Sequence, residues 1–194
     1  MYSAFMTTPE RLIESTRELL WERGYVGTSP KAIQQRAGAG QGSMYHHFSG
    51  KPDLALTAIR RTAEELRAVA GSCLDSPGGA YDRVRAYLLR EREVLRGCPI
   101  GRLTMDPDVM ADPELRKPVD ETLDWLRGRL AEVLAEGRER GEFTAGLAPE
   151  PIAATVVATV QGGYVLARAA GSAAPFDSAV EGLLTLLAAF KAPV

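Results

Sequence analysis

Cysteine and histidine are scarce in this 194-residue chain, which contains two of each. Cys73 and Cys98 are too few for a disulfide framework or a cysteine-rich metal site. His46 and His47 are adjacent, so in a helix their side chains point about 100° apart and cannot share one metal ion. The sequence therefore predicts two reduced thiols in a cytoplasmic protein, with no metal and no other cofactor.

Long apolar runs are also missing. No run approaches the roughly 20 apolar residues that a membrane-spanning helix needs. Residues 1–6 carry no positive side chain of the kind that opens a secretory signal, and Met6 is an alternative start. Apolar residues make up 45% and charged residues 25% of the chain, which is ordinary for a globular protein. We expect one or two small domains and no membrane partner.

Strand signals and enzyme motifs are absent as well. The sequence has no good alternating Val/Ile/Thr run and no Asn-Gly hairpin turn. It contains no Gly-x-Ser-x-Gly, no phosphate-binding Gly-x-x-x-x-Gly-Lys-Ser/Thr and no His-Glu-x-x-His. Segment 38–42 has the glycine content of a phosphate loop but follows a short helix rather than a strand. We therefore expect the protein not to be an enzyme.

Helix signals, by contrast, mark the N-terminal part of the chain closely. Thr7 and Glu10 form a capping-box pattern. Ser29 followed by Pro30 is a second helix start, and the glycines of segment 38–40 end that helix. One long helix, one short helix, a three-residue turn and another short helix have the spacing of a helix-turn-helix. The first predicted helix ends at about Arg23, the second extends for about eight residues from Pro30, and the third ends near His47.

The helical period continues from Lys51 to the C-terminus. The predicted elements are a helix from Lys51 to near Gly71, a linker at 72–80, a helix from Tyr81 through Leu95, a short helix to about Met105, a short element between Pro107 and Pro113, a long helix from Val119 to near Gly141, and two C-terminal helices over about 152–170 and 178–190.

The two C-terminal helices carry unusually few charges. Arg168 is the one charged residue in 152–170, and Glu181 is the one in 178–190. A helix that is apolar nearly all round is buried on more than one side. We predict that these helices form the isologous interface of a homodimer; the alternative is that they lie at the centre of a monomeric bundle.

Charge is unevenly distributed along the chain. The net charge is −2, yet no acidic residue occurs between Glu22 and Asp53. A basic, acid-free segment on an acidic body is typical of a small nucleic-acid-binding module. The window contains Arg23, Lys31, Arg36, Lys51 and both histidines.

An ordered set of residues in this region closely resembles the DNA-binding domain of TetR-family transcriptional regulators. The set is Gly24-Tyr25, Thr28-Ser29, Ile33, Ala37-Gly38, Gly42 through Phe48, Lys51 and Leu54. The sequence departs from the family pattern at Gln34, Gly40 and Pro52, where Ala, Ser and Glu are usual. Segment 97–101 is similar to one found in a subgroup of drug- and flavonoid-responsive repressors.

The resemblance implies an all-α fold with two domains. Residues 1–50 would form the three-helix helix-turn-helix domain, and residues 51–194 a helical bundle for ligand binding and dimerisation. It further implies a homodimeric regulator, by default a repressor, that leaves a palindromic operator when a small apolar or aromatic ligand binds. The alternatives are an activator or a thiol-based sensor using Cys98, and a helical binding protein without DNA-binding activity.

The recognition helix would place its N-terminal residues nearest the base edges. Gln41 can bond adenine bidentately, and Gly42 lets the backbone approach the DNA. The resemblance implies phosphate contacts from Tyr45, His47 and Lys51. The predicted DNA-binding residues are Ser29, Lys31, Gln41, Gly42, Ser43, Tyr45, His46, His47 and Lys51. The alternatives are a core aromatic for Tyr45, idle histidines, and a solvated charge for Lys51; Phe48 is expected in the core.

A ligand pocket is expected between the helices of the C-terminal domain. Trp125 and Met105 are preferred, because aromatic and flexible apolar side chains suit large apolar ligands. Ordinary core packing is the alternative for every candidate. The candidates are Leu66, Tyr87, Leu103, Met105, Met110, Trp125, Gln161 and Tyr164.

Overall fold

The computed structural model describes residues 6–193, and all of its regular elements are helical. The helices are α1 (Thr8–Arg23), α2 (Pro30–Ala37), α3 (Gln41–His47), α4 (Lys51–Leu74), α5 (Ala80–Leu89), a 3₁₀ helix (Gly101–Met105), α6 (Pro107–Ala111), α7 (Pro113–Glu139), α8 (Pro149–Ala170) and α9 (Ala174–Ala188). An isolated antiparallel bridge joins Phe143 to Lys191, and residues 6–193 contain no β-strand. The predicted all-α fold is confirmed. The predictions about a secretory signal and an alternative start concern residues 1–6, of which only Met6 is among the described residues.

Capping residues explain where the first helices begin. The predicted capping box of α1 is present, and the Thr7 amide and hydroxyl both donate to the Glu10 carboxylate, at 2.7 and 2.8 Å. Ser29 Oγ accepts a hydrogen bond from the Ala32 amide at 3.1 Å and so caps α2. Gly40 stands at the N-cap of α3 and offers no side-chain cap, as its departure from the family pattern predicts.

Apolar side chains spaced three and four apart pack α1 to α3 into one small core. Leu12, Leu19 and Leu20 of α1 are buried with Ile33 of α2 and Met44 of α3. These five lie inside a helix-turn-helix, and the three helices contact one another pairwise. The N-terminal domain is therefore held by local packing over fewer than 50 residues.

Several predicted helix boundaries were wrong. Helix α7 begins at Pro113 instead of Val119, and α9 begins at Ala174 instead of at about 178. Helix α4 continues past Gly71 to Leu74, because Leu74 is fully buried and the stop signal lies later, at segment 77–79. Helix α5 ends at Leu89 instead of continuing to Leu95. There the Arg92 guanidinium turns back and donates to the carbonyls of Tyr87 and Leu88, at 2.6 and 3.1 Å, which satisfies the end of the helix.

The chain divides into two compact units. Unit 1 comprises residues 6–65 and 99–121, and unit 2 comprises residues 66–98 and 122–193. Helices α4 and α7 each belong to both units: residues 51–65 and 113–121 lie in unit 1, and residues 66–74 and 122–139 lie in unit 2. In unit 1 the first half of α4 belongs with the helix-turn-helix, because Leu54, Ala58 and Ile59 are buried there.

In unit 2 the apolar helices α8 and α9 pack against each other after a three-residue connection. Helix α8 corrects one prediction: it is long and apolar enough, by length and composition alone, to span a membrane. Core helices of soluble proteins have the same length and composition. Only 33% of the most apolar 18-residue stretch of α8 is buried, so much of its apolar surface is exposed in the single chain.

A buried charge joins three helices of unit 2. Arg83 of α5 is buried, and it donates to the Leu74 carbonyl and to the Glu136 carboxylate of α7, both at 2.6 Å. The bond from Arg83 is the main reason that the pKa of Glu136 lies below its ordinary value of 4.5. The Glu136 charge therefore stabilises the fold above the unfolded-state pKa, and that contribution disappears as the pH falls through the folded-state pKa.

Replacing Glu136 by glutamine should lower the free energy of unfolding at pH 7 by roughly 1 kcal/mol, because Arg83 keeps an acceptor oxygen but loses a charged partner that is itself partly exposed to solvent. Urea denaturation at pH 7, 5 and 4 measures the difference between E136Q and the natural protein. That difference should shrink toward the acidic end. A difference that stayed constant across the series would contradict this role for the pair.

Candidate nucleic-acid interface

The exposed face of α3 collects four of the predicted DNA-reading residues. Gln41, Gly42, Tyr45 and His46 are all exposed, and Tyr45 retains 50% of its accessible surface. Positions 41, 42, 45 and 46 share one side of a helix. Tyr45 is thus not a core aromatic. Ser43 is half-buried and His47 is exposed, each at the margin of this face.

The opposite side of α3 fixes the helix to the domain. Met44 and Phe48 are buried, as expected for Phe48. Gln34 of α2 donates to the Met44 sulfur at 3.5 Å, so this departure from the family pattern is used in packing α2 against α3. His46 and His47 contact each other edge to face, with ring centroids 4.8 Å apart. The two sides of α3 are therefore clearly divided between packing and solvent.

The cations around α3 differ in how freely they can reach a phosphate. Lys31 is exposed at the start of α2 and has no ion pair in the described part of the chain. Arg36 is occupied, because its guanidinium lies 2.8 Å from Glu22 and 3.7 Å from Glu18. Lys31 and the nearby Ser29 thus remain suitable for phosphate contact, whereas Arg36 pairs with acidic side chains of α1.

Lys51 has a partner that the sequence did not indicate. Its Nζ lies 3.8 Å from the centroid of the Tyr25 ring, a cation–π contact that leaves it half-buried. Burial lowers the pKa of Lys51, against an opposing effect of Asp106 and Asp108. Its predicted phosphate contact stays a prediction; in this structure Lys51 packs the start of α4 onto the turn that follows α1.

The same turn is held by a residue that sequence reasoning missed. Asp106 is buried, and its Oδ2 accepts hydrogen bonds from the Tyr25 and Val26 amides at 2.7 and 2.9 Å. Its Oδ1 accepts from the amides of Asp108 and Val109 at the start of α6. The Asp-Pro pair at 106–107 is a helix-start signal, but nothing local in the sequence indicates its bonds to residues 25 and 26. We call these contacts the Asp106 clamp.

The predicted ligand-binding residues do not share one environment. Leu103, Met105 and Met110 lie in unit 1, where Leu103 is buried and Met105 is 84% exposed. The other five lie in unit 2: Leu66, Trp125 and Gln161 are half-buried, and Tyr87 and Tyr164 are buried. Their role in ligand binding stays a prediction.

Two of these residues, Tyr87 and Tyr164, lie near Arg92. Burial raises the pKa of Tyr164 to about 12, with Arg92 opposing the shift. Burial raises the pKa of Tyr87 as well, again against Arg92. The ring centroids of Tyr164 and Phe176 are 5.0 Å apart. This part of unit 2 is a buried aromatic cluster that contains a cation.

A cavity of about 550 Å³ opens beside that cluster, between the end of α5, segment 90–94 and α9. None of the eight predicted ligand-binding residues lines it. Neither cysteine forms a disulfide among the described residues; Cys98 is buried and Cys73 is half-buried. Burial of Cys98 does not favour its use as an exposed reactive thiol.

Comparison with known proteins bears on both halves of the chain. Residues 12–58 match the family described as "Bacterial regulatory proteins, tetR family", and residues 79–183 match "Tetracyclin repressor-like, C-terminal domain". The second match covers more than half of the chain.

Individual relatives agree over most of their length. The HTH-type transcriptional regulator LmrA of Bacillus subtilis is 28% identical over 86% of this chain and 89% of its own. The HTH-type transcriptional repressor DhaR of a Mycobacterium species is 26% identical over 88% of each chain. A TetR transcriptional regulator from Chloroflexus aurantiacus has a crystal structure with a TM-score of 0.84, 28% identity, and coverage of 93% of this chain and 94% of its own.

These matches agree with the two parts of the fold described above. A helix-turn-helix that presents Gln41, Tyr45 and His46 to solvent is joined to a helical second region. The chain belongs to the TetR family of DNA-binding transcriptional regulators.

Proposed function

We propose that the protein is a homodimeric repressor that binds a palindromic operator and leaves it when a small-molecule effector binds. The carrying observation is the exposed face of α3, where Gln41, Gly42, Tyr45 and His46 stand together without a packing role. In a helix-turn-helix this face enters the major groove. Residues 1–50 act as the DNA-binding domain and residues 51–194 as the effector and dimerisation domain, in the cytoplasm.

Base and phosphate contacts divide among the predicted residues. Gln41 reads base edges, with Ser43 and His46 as further contacts. Tyr45, His47 and Lys51 bond phosphates from α3 and α4, and Ser29 with Lys31 does so from the start of α2. For Lys51 this requires that its ammonium group leave the Tyr25 ring or bond a phosphate from that position.

An exposed apolar face on α8 and α9 supports the dimer. Val165 and Leu166 of α8 are 67% and 54% exposed, and Leu186 of α9 is 66% exposed. The same side of α8 carries small residues at positions 154, 158 and 162, which let a partner helix approach closely. A continuous apolar face of this kind on a DNA-binding monomer is typical of an oligomer interface.

Helix α4 provides the proposed path from effector to DNA. It begins at Lys51, directly after α3, and extends to Leu74 in unit 2. An effector that binds the DNA-incompetent arrangement more tightly shifts α4 and changes the spacing of the two recognition helices. The resemblance of segment 97–101 to a drug- and flavonoid-responsive subgroup makes an apolar or aromatic effector our choice.

Binding of the full chain to the DNA that flanks its own gene tests this function. Fluorescence anisotropy over a salt series should show tight, sequence-selective binding whose logarithm falls linearly with the logarithm of salt concentration. Genome-wide selection of bound fragments covers a distant operator. If neither experiment finds selective binding, the repressor proposal fails in favour of a helical binding protein.

Replacing Gly42 by alanine should separate DNA binding from stability. A Cβ at position 42 would meet nothing within 4 Å, so alanine fits and should stabilise α3 by up to about 1 kcal/mol. The added methyl group stands on the face that approaches DNA, so operator affinity should fall about tenfold or more, a loss of about 1.4 kcal/mol. Thermal unfolding and anisotropy measure the two effects.

Gly128→Ala is the matched control, because position 128 in α7 is also open and lies outside the proposed interface. It should raise the unfolding temperature while leaving operator affinity unchanged. Equal operator affinity in the Gly42→Ala variant and the natural protein would place the DNA contact elsewhere than on α3.

A further inference from the structure

The cavity beside the aromatic cluster in unit 2 has an apolar wall and a cationic end. Leu88, Val94, Phe176, Val180 and Leu184 provide the apolar wall. Its volume of about 550 Å³ lies within the range of small-molecule sites, roughly 300–1,000 Å³. On α9 the cavity side carries positions 177, 181 and 184, whereas exposed Leu186 lies on a different side of the helix.

Three arginines line the cavity; Arg85 is exposed, and the half-buried Arg90 and Arg92 form its cationic end. The guanidinium carbons of Arg90 and Arg92 lie 5.4 and 5.6 Å from the centroid of the Tyr87 ring. Both residues line the cavity, and Arg92 also lies 5.3 Å from the Phe176 ring. Two positive charges are therefore held close to one aromatic ring.

Neither arginine is neutralised by the protein itself. Within residues 6–193 neither forms an ion pair, and the Nε atom of each is buried without a hydrogen-bond partner. Burial lowers the pKa of Arg92, and the charge of Arg90 lowers it further. A partly buried positive charge without an acidic partner is costly, and an anion in the cavity would offset that cost.

The acidic residues on the cavity wall do not fill this role. Glu91, Asp177 and Glu181 line the cavity but are exposed to solvent. Among the described residues, none of them lies within ion-pair distance of Arg90 or Arg92. These carboxylates are solvated, whereas the Nε atoms of Arg90 and Arg92 are inaccessible to solvent.

We propose that this cavity binds an organic anion with an apolar body, such as an aromatic or aliphatic carboxylate or sulfonate. The anionic group bonds Arg90 and Arg92 in the manner of an arginine–carboxylate pair, and the body lies against Leu88, Phe176 and Leu184. The proposal that the cavity binds such an anion rests on the geometry of the cavity alone. The proposal that this anion is the effector also rests on the proposed repressor function.

Isothermal titration calorimetry of the full chain tests the site with a matched pair of probes. Naphthalene-1-sulfonate carries the anion, and naphthalene-1-methanol is its neutral counterpart. The natural protein should bind the sulfonate saturably, one per chain, and at least tenfold more tightly than the alcohol. Arg90→Met should weaken sulfonate binding at least tenfold and reduce the preference for the sulfonate over the alcohol, since Arg92 keeps its charge.

Arg140→Met is the control, because it removes the same charge from an exposed position outside the cavity. It should leave the binding of both probes unchanged. Leu184→Glu is a second cavity variant at a half-buried position of α9, and its negative charge should also expel the sulfonate. Circular dichroism establishes that each variant is folded.

Three results would overturn the site: no saturable sulfonate binding by the natural protein, no preference over the alcohol, or equal binding in the folded Arg90→Met and Leu184→Glu variants. The titration contains no DNA, so it is independent of the repressor proposal. A protein that binds the sulfonate but no operator contradicts the proposed function alone. A protein that binds operator but not the sulfonate contradicts this site alone.

Discussion

A variant carrying Val165→Asp together with Leu186→Asp is expected to be a monomer with at least a 100-fold weaker affinity for operator. Both side chains are about two-thirds exposed in the single chain, on the faces of α8 and α9 that we assign to the dimer. An interface that covers them would bury two carboxylates per chain without partners, which is strongly unfavourable. Sedimentation velocity measures the oligomeric state, and anisotropy measures the operator affinity.

The large effect on DNA binding follows because the dimer links the DNA-binding domains of its two protomers. In a dimer, binding of the first recognition helix places the second at a high effective concentration near its half-site. Separating two linked sites typically costs a factor of about 10²–10⁴ in affinity. The monomer should keep weak binding that depends on salt, because each head retains its phosphate contacts.

Leu95→Asp is the matched control for added charge at an exposed leucine. Leu95 is half-exposed but lies outside α8 and α9. This variant should remain dimeric and bind operator as the natural protein does. If the Val165→Asp, Leu186→Asp variant also stayed dimeric, the apolar face of α8 and α9 would have another use and the interface would lie elsewhere.

The ends of α1, α2 and α3 were predictable because each has a chemical signal within a few residues. Thr7 with Glu10 starts α1, Ser29 with Pro30 starts α2, and Gly38 ends α2 in the left-handed conformation. The exposed side of α3 was also predictable, because Met44 and Phe48 are apolar and four residues apart, which places them together on the side of the helix that packs. Local chemistry was therefore sufficient for this domain.

Contacts between distant residues were not predictable in the same way. The end of α5 depends on Arg92 reaching back to two carbonyls, although the apolar period continues to Leu95. The Asp106 clamp joins residues about 80 positions apart. The cavity arginines resemble ordinary surface charges in the sequence, since nothing adjacent reveals that their Nε atoms are buried.

Replacing Gly24 by alanine should be among the most destabilising single changes in unit 1, lowering the free energy of unfolding by about 3–5 kcal/mol. Gly24 has φ 74° and ψ −179°, a region that is essentially restricted to glycine. A Cβ there would also lie 2.8 Å from Asp106 Oδ2, the atom that accepts the Tyr25 and Val26 amides. The substitution therefore strains the backbone and displaces the clamp together, and urea denaturation measures the total.

Gly38→Ala separates these two effects, because Gly38 also has a positive φ of 60° but a Cβ there meets nothing within 4 Å. It should cost only about 1–2 kcal/mol. Combining Gly24→Ala with Asp106→Ala completes a double-mutant cycle. If the clamp matters, the double variant is less destabilised than the sum of the single variants, by about 1 kcal/mol or more. Strict additivity would mean that backbone strain alone explains the loss, and that Asp106 stabilises the turn independently of the glycine beneath it.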